Sequence, residues 1–205
     1  MQTLIVLGAI AGWFAVIFQF YLLIVNRITS VPEAIIRFFS FYTILTNILV
    51  ALCFTVLLVK RKSGWGKLFS QPKTLTAIAV YIGIVGIVYN SILRFTWSPQ
   101  GLQRVVDELL HVAIPVLFII YWLIFAPKAG LQWKNVFLWL LYPLVYVFCI
   151  LFRGALSGFY PYPFIDVNSL GYNKVFLNSV GLFIAFLFLS LLFVAIAKIM
   201  SRTSR

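Results

Sequence analysis

Residues 102–125 read LQRVVDELLHVAIPVLFIIYWLIF. In the first half, Leu102, Val105, Val106, Leu109 and Leu110 recur at i, i+3, i+4, i+7 and i+8, with Arg104, Asp107, Glu108 and His111 on the opposite face. In the second half, 112–125 is almost wholly apolar. A helix polar on one side thus leads into one apolar all round, the pattern of a chain passing from a membrane boundary into lipid. The boundary falls at His111, the only histidine of the chain and the one side chain whose ordinary titration lies near neutral pH.

Composition agrees with that stretch. The 205 residues are 63% hydrophobic and 10% charged, with mean hydropathy +1.08, where soluble domains hold about 45 to 50% apolar residues. Six uncharged apolar runs are legible, at 4–25, 38–59, 74–93, 109–126, 135–152 and 175–197. Each approaches the ~20 residues that cross about 30 Å at 1.5 Å per residue. In lipid, segments of this length satisfy their backbone groups only as helices. The reading is an all-α polytopic membrane helix bundle of six transmembrane helices, one integral membrane domain over 1–205. No basic region precedes the first run, so it reads as a retained span.

Lys and Arg in alternate connections set the orientation. Lys60, Arg61, Lys62, Lys67, Lys73, Lys128, Lys134, Lys198, Arg202 and Arg205 lie on one side. Arg27, Arg37, Arg94, Arg104, Arg153 and Lys174 lie on the other, with every acid of the chain: Glu33, Asp107, Glu108 and Asp166. Ten against six places both termini in the cytoplasm, for a multi-pass protein of the cytoplasmic membrane. The net charge of +12 is then mostly topology. Nucleic acid is excluded as a partner for want of a solvated basic domain, and the basic cluster at 60–62 suits anionic lipid headgroups. Cys53 and Cys149 fall at different depths and read as unpaired. Trp65, Trp97, Trp122 and Trp133 read as interfacial belts.

With that orientation most unusual polar side chains gather at the outer half. Ser40, Thr43 and Asn47 form a stripe on span two, Asn90 and Arg94 close span three, and His111 opens span four at the same level. Tyr142, Tyr146 and Arg153 close span five. The connection after it carries Tyr160, Tyr162 and Phe164 and is long enough for a lid or binding loop. Taken singly these residues have plain readings. Ser, Thr and Asn in spans hold helices together, Pro115 and Pro143 kink them, and Ser98-Pro99 caps a helix start. Their common depth points to chemistry. Thr43 beside His111 offers a nucleophile and its base. Asp107, one turn before the histidine, is placed to orient the imidazole. Asn47, Asn90 or Arg94 would donate to an oxyanion. No metal-ligand spacing and no phosphate-binding loop occurs, so neither a metal nor another cofactor is expected.

The phrase Phe41-Tyr42-Thr43-Ile44-Leu45-Thr46-Asn47, His111 leading to Pro115, and Tyr160-Pro161-Tyr162-Pro163-Phe164 before the sixth span resemble the androgen-induced and androgen-dependent membrane hydrolases, most of all their small bacterial six-span relatives. The resemblance runs over essentially the whole chain. It implies a threonine hydrolase of fatty acyl esters, with Thr43 as nucleophile and His111 as base. Thr46 stands where the animal members carry an aspartate and is the other candidate nucleophile. The competing readings are a small-solute transporter, for which a midplane carboxylate or an inverted repeat would be the mark, and a non-catalytic membrane scaffold.

Overall fold

A computed structural model of the chain describes residues 1–59, 62–96 and 98–203; Lys60 and Arg61 of the basic cluster, Trp97 of the aromatic belt and Arg205 of the tail lie outside the described residues. Six helical segments among the described residues are long and apolar enough to cross a membrane, and no strand occurs among them. The protein is an all-α, multi-pass integral membrane protein. It divides into two compact units, Met1–Gly130 with the first four spans and Leu131–Arg205 with the last two.

In the first unit, α1 (Gln2–Val25) presents Leu7, Ile10, Phe14, Ile17 and Tyr21 outward at helical spacing. Its inner face carries small residues, Gly8, Ala9, Gly12 and Ala15. With lipid as solvent, apolarity does not decide which face turns inward, and small residues that let backbones approach do. A Cβ on Gly12 would lie 2.9 Å from that of Ala51, and one on Gly8 would lie 2.5 Å from the Phe54 ring. Trp13 Nε1 donates to Thr55 Oγ1 at 2.9 Å across the same contact.

The second run is not one helix. It is α2 (Val31–Ser40), a break at Phe41 with extended backbone (φ −81°, ψ 123°), then α3 (Tyr42–Val59). Ser40 ends α2 and bonds the carbonyl of Ile36; it shares no helix with Thr43 and Asn47, and the expected three-residue stripe shrinks to two. After the short α4 (Gly64–Phe69), α5 (Pro72–Ser91) runs back and ends in a 3-10 turn at Leu93–Phe95. Helices α3 and α5 are the most buried spans.

Span four starts earlier than its apolar run. It comprises α6 (Gly101–Glu108), a π-helical turn at Leu109–Ala113 and α7 (Ile114–Phe125). Ser98-Pro99 is not its cap: the N-cap is Gln100, and Gly101 takes φ +55°, which delays the helix by two residues. Leu102, Val105 and Arg104 are exposed while Val106, Asp107 and Leu110 are buried, so the helix is rotated to turn one carboxylate of its polar face inward. Below, Trp122 Nε1 donates to Thr76 Oγ1, tying α7 to α5. Lys128 caps α7 by donating to the carbonyls of Trp122, Leu123 and Ala126 and lies over the Trp122 ring. Burial pushes its ammonium below the usual lysine range.

The second unit pairs α8 (Asn135–Ser157) with α9 (Val167–Thr203), which is interrupted at Gly171 (φ 74°, ψ 161°). Cys149 is exposed and Cys53 of the first unit buried, both as free thiols.

Candidate active site

The π turn follows from proline. In an α-helix Ile114 would donate to Leu110 O, but its N–H goes to Leu109 O instead, five residues back. The next bond of that pattern would need an N–H at Pro115, which has none. The Leu110 carbonyl is left without a helical donor. Asn47 Nδ2 supplies one from α3 at 3.2 Å, while also donating to Thr43 O at 2.8 Å. The carbonyl of His111 is another that Pro115 cannot serve, and the turn packs closely on α5: a Cβ on Gly86 would lie 3.3 Å from Pro115 Cβ and 3.4 Å from that carbonyl.

This arrangement brings Thr43 and His111 together. Thr43 Oγ1 lies 3.3 Å from His111 Nε2. On the other side of the ring, Nδ1 lies 2.9 Å from the backbone carbonyl of Asp107 and 3.3 Å from its Oδ1. Both neighbours of Nδ1 are acceptors, so the neutral imidazole carries its proton there and turns its Nε2 lone pair to the hydroxyl. Thr43 is 7% exposed, and the side chains of His111 and Asp107 are 12% and 8% exposed: the three groups sit in a shielded, low-dielectric setting. Of the two threonines, Thr43 reaches the imidazole. The Thr46 hydroxyl is buried with no hydrogen-bond partner among the described residues.

Tyr89, which the sequence reading missed, completes the cluster. Its ring stacks on the imidazole with centroids 4.1 Å apart and planes 14° apart, and its hydroxyl donates to Asp107 Oδ2. Beyond it the Arg94 guanidinium lies 5.0 Å over the Tyr89 ring and pairs with Glu108 at 2.8 Å. A tyrosine near a membrane boundary reads as part of an aromatic belt. The available signal was its place one residue before Asn90 and five before Arg94, at the depth of the histidine.

The expected oxyanion donors fare differently. Asn47 spends both amide hydrogens on backbone carbonyls, so it holds the two helices and has none left for a substrate. Asn90 donates to Gly86 O and accepts from Arg94 Nε. Asn90 lies in the last turn of α5 and Arg94 in the 3-10 turn that follows it.

Arg153, Tyr160, Tyr162 and Phe164 belong to the second unit. There Gly158, in the left-handed region at φ +70°, ends α8 and starts the connection. Arg153 Nη1 donates to Phe159 O, Asn168 to Gly158 O and Asn178 to Phe164 O. Tyr162 and Phe164 stack with centroids 5.1 Å apart. The loop is thus fastened to its own two helices. Tyr160 lies over Gly154, where any Cβ would meet its ring. Burial, then the nearby Tyr172 and Asp166, raises its phenol above the ordinary tyrosine value.

Among the described residues no three His, Cys, Asp or Glu side chains gather as a metal site. Comparison with known protein families, with curated proteins and with solved structures finds no match.

Proposed function

We propose that this chain is an intramembrane threonine hydrolase of fatty acyl esters, with its site in the outer leaflet of the cytoplasmic membrane. The observation that carries the reading is the 3.3 Å approach of Thr43 Oγ1 to a histidine whose other nitrogen is held by Asp107. A threonine hydroxyl is too weak an acid to attack at neutral pH without a base, and the cluster supplies one in the required tautomer.

In the reaction, Oγ1 attacks the ester carbonyl carbon while its proton passes to Nε2, and Asp107 remains ionised and stabilises the imidazolium. Arg94 bonds Glu108 and Asn90 and lies over the Tyr89 ring, so it bears on the cluster through Tyr89 and not at the ester carbonyl. Collapse of the tetrahedral adduct breaks the bond to the alcohol oxygen, which takes the proton from Nε2 and leaves an acyl-threonine. Water, deprotonated by the same imidazole, then releases the fatty acid and regenerates the hydroxyl. The outward Leu102 and Val105 and the shielded polar groups favour a substrate arriving sideways from lipid.

The plainer reading is a scaffold in which the same polar groups hold helices together, and Asn47 does serve that purpose. An alkyl fluorophosphonate probe separates the two. Wild-type protein should be labelled and Thr43→Ala should not. Thr43→Ala and His111→Ala should each lower ester turnover by several orders of magnitude with folding retained. Equal turnover by wild type and both variants, with no labelling, returns the chain to the scaffold reading.

A further inference from the structure

We infer that Tyr89 is a positioning residue for His111, acting through Asp107 and through the face of the imidazole; its consequence for turnover rests on the hydrolase reading above, but its effect on the ring does not. Tyr89 is 3% exposed and comes from α5, whereas His111 and Asp107 come from span four. The Tyr89 hydroxyl donates to Asp107 Oδ2, and Oδ1 faces His111 Nδ1 at 3.3 Å, beside the Asp107 backbone carbonyl that takes the Nδ1 hydrogen bond at 2.9 Å. Rotation about the Cβ–Cγ bond would break the bond from the phenol and carry Oδ1 away from Nδ1. The phenol therefore holds in place the negative charge that faces Nδ1 and adds to the backbone carbonyl in keeping the imidazole proton there.

The ring of Tyr89 supplies the second constraint. A parallel stack at 4.1 Å fixes the plane in which the imidazole turns, and so fixes where the Nε2 lone pair points. This matters in a π turn. The helix is locally widened there, and its own hydrogen bonds hold the histidine backbone less closely than an α-helix would. Arg94, 5.0 Å from the centre of the Tyr89 ring and paired with Glu108, ties that ring to α6 as well. Thr43, His111, Asp107 and Tyr89 thus form one chain of four polar groups from α3 to α5, in which the phenol is the far anchor.

The single histidine makes the test direct. Full-length protein labelled with ¹³C and ¹⁵N in histidine, in lipid nanodiscs, gives one set of imidazole resonances, whose shifts report the share of Nδ1–H and Nε2–H tautomers. Wild type should be mainly Nδ1–H. Tyr89→Phe keeps the stack and removes the hydroxyl, and should move population towards Nε2–H. Tyr89→Leu removes both and should add mobility of the ring. If the hydrolase reading holds, Tyr89→Phe should also lower kcat by about 10- to 100-fold, as loss of an outer hydrogen-bond partner does elsewhere, with KM little changed. Unchanged imidazole shifts in both variants, with melting temperatures showing them folded, would overturn the inference whatever the activity. Shifted resonances in a protein with no esterase turnover would sink the hydrolase reading and leave Tyr89 as the residue that orients His111.

Discussion

The π turn makes a quantitative prediction about Asn47 and Pro115. Asn47→Ala leaves the Leu110 carbonyl buried without a donor, at a cost of about 1 to 3 kcal/mol. Part is offset, because Asn47 Oδ1 has no partner among the described residues and disappears with the mutation. At about 2 to 4 °C per kcal/mol for a chain of this size, the melting temperature in detergent should fall by about 2 to 12 °C. Pro115→Ala restores an N–H at the position from which the π pattern would serve Leu110 O. In that background Asn47→Ala should cost clearly less. The volume lost at position 47 is the same in both backgrounds and cancels in the double-mutant cycle, leaving the satisfied carbonyl as the coupling. Additive effects, within about 0.5 kcal/mol, would show that the carbonyl is not the link between these residues and would refute the account of how Thr43 and His111 are brought together.

Gly12→Val should destabilise by about 1 to 3 kcal/mol in thermal unfolding, since its side chain meets Ala51 at once, and Ala51→Gly should recover much of the loss; no rescue would show that the α1–α3 approach is not the cause. Tyr160 has a folded-state pKa above its ordinary value of 10.0, so its contribution is fully present below that value and lost as pH rises through it. Between pH 8 and pH 11 wild type should therefore lose more melting temperature than Tyr160→Phe, and parallel losses would count against a shielded phenol. Orientation is checked in cells with a membrane-impermeant maleimide in a variant lacking the exposed Cys149. Ser157→Cys should label and Lys62→Cys should not, and the reverse pattern would invert the topology and move the site to the inner leaflet.

Run length and hydropathy made all six spans legible, because a lipid core imposes length and helicity on any segment that crosses it. Their ends were less legible. The break at Phe41 has no glycine or proline to announce it: Phe38-Phe39-Ser40-Phe41-Tyr42 reads as continuous helix, and the interruption belongs to the packing of α2 and α3. Span four was cut short at residue 109 because Arg104, Asp107 and Glu108 end an apolar run by composition, although the helix continues through them from Gly101. Ser98-Pro99 looked like a cap because local chemistry allowed it, and the positive φ of Gly101 overrode it.

The candidate site was legible in its members and not in its wiring. Depth along six spans brought Thr43, Asn47, Asn90, Arg94, Asp107 and His111 to one level, but depth says nothing about which way a helix is rotated. Rotation is where soluble intuition fails: α6 turns Leu102 and Val105 outward and buries the Asp107 carboxylate beside Val106, since lipid accepts the former and only protein partners can hold a buried carboxylate. Packing also reassigns Asn47 from substrate donor to backbone clamp. A buried orphan carbonyl created by Pro115 has first claim on an amide, and a sequence shows the proline but not which carbonyl it strands. Tyr89 escaped notice because a tyrosine at that depth has a sufficient reason to exist as an interfacial anchor. Only the positions of a carboxylate at its hydroxyl and an imidazole at its face distinguish that reason from the one observed.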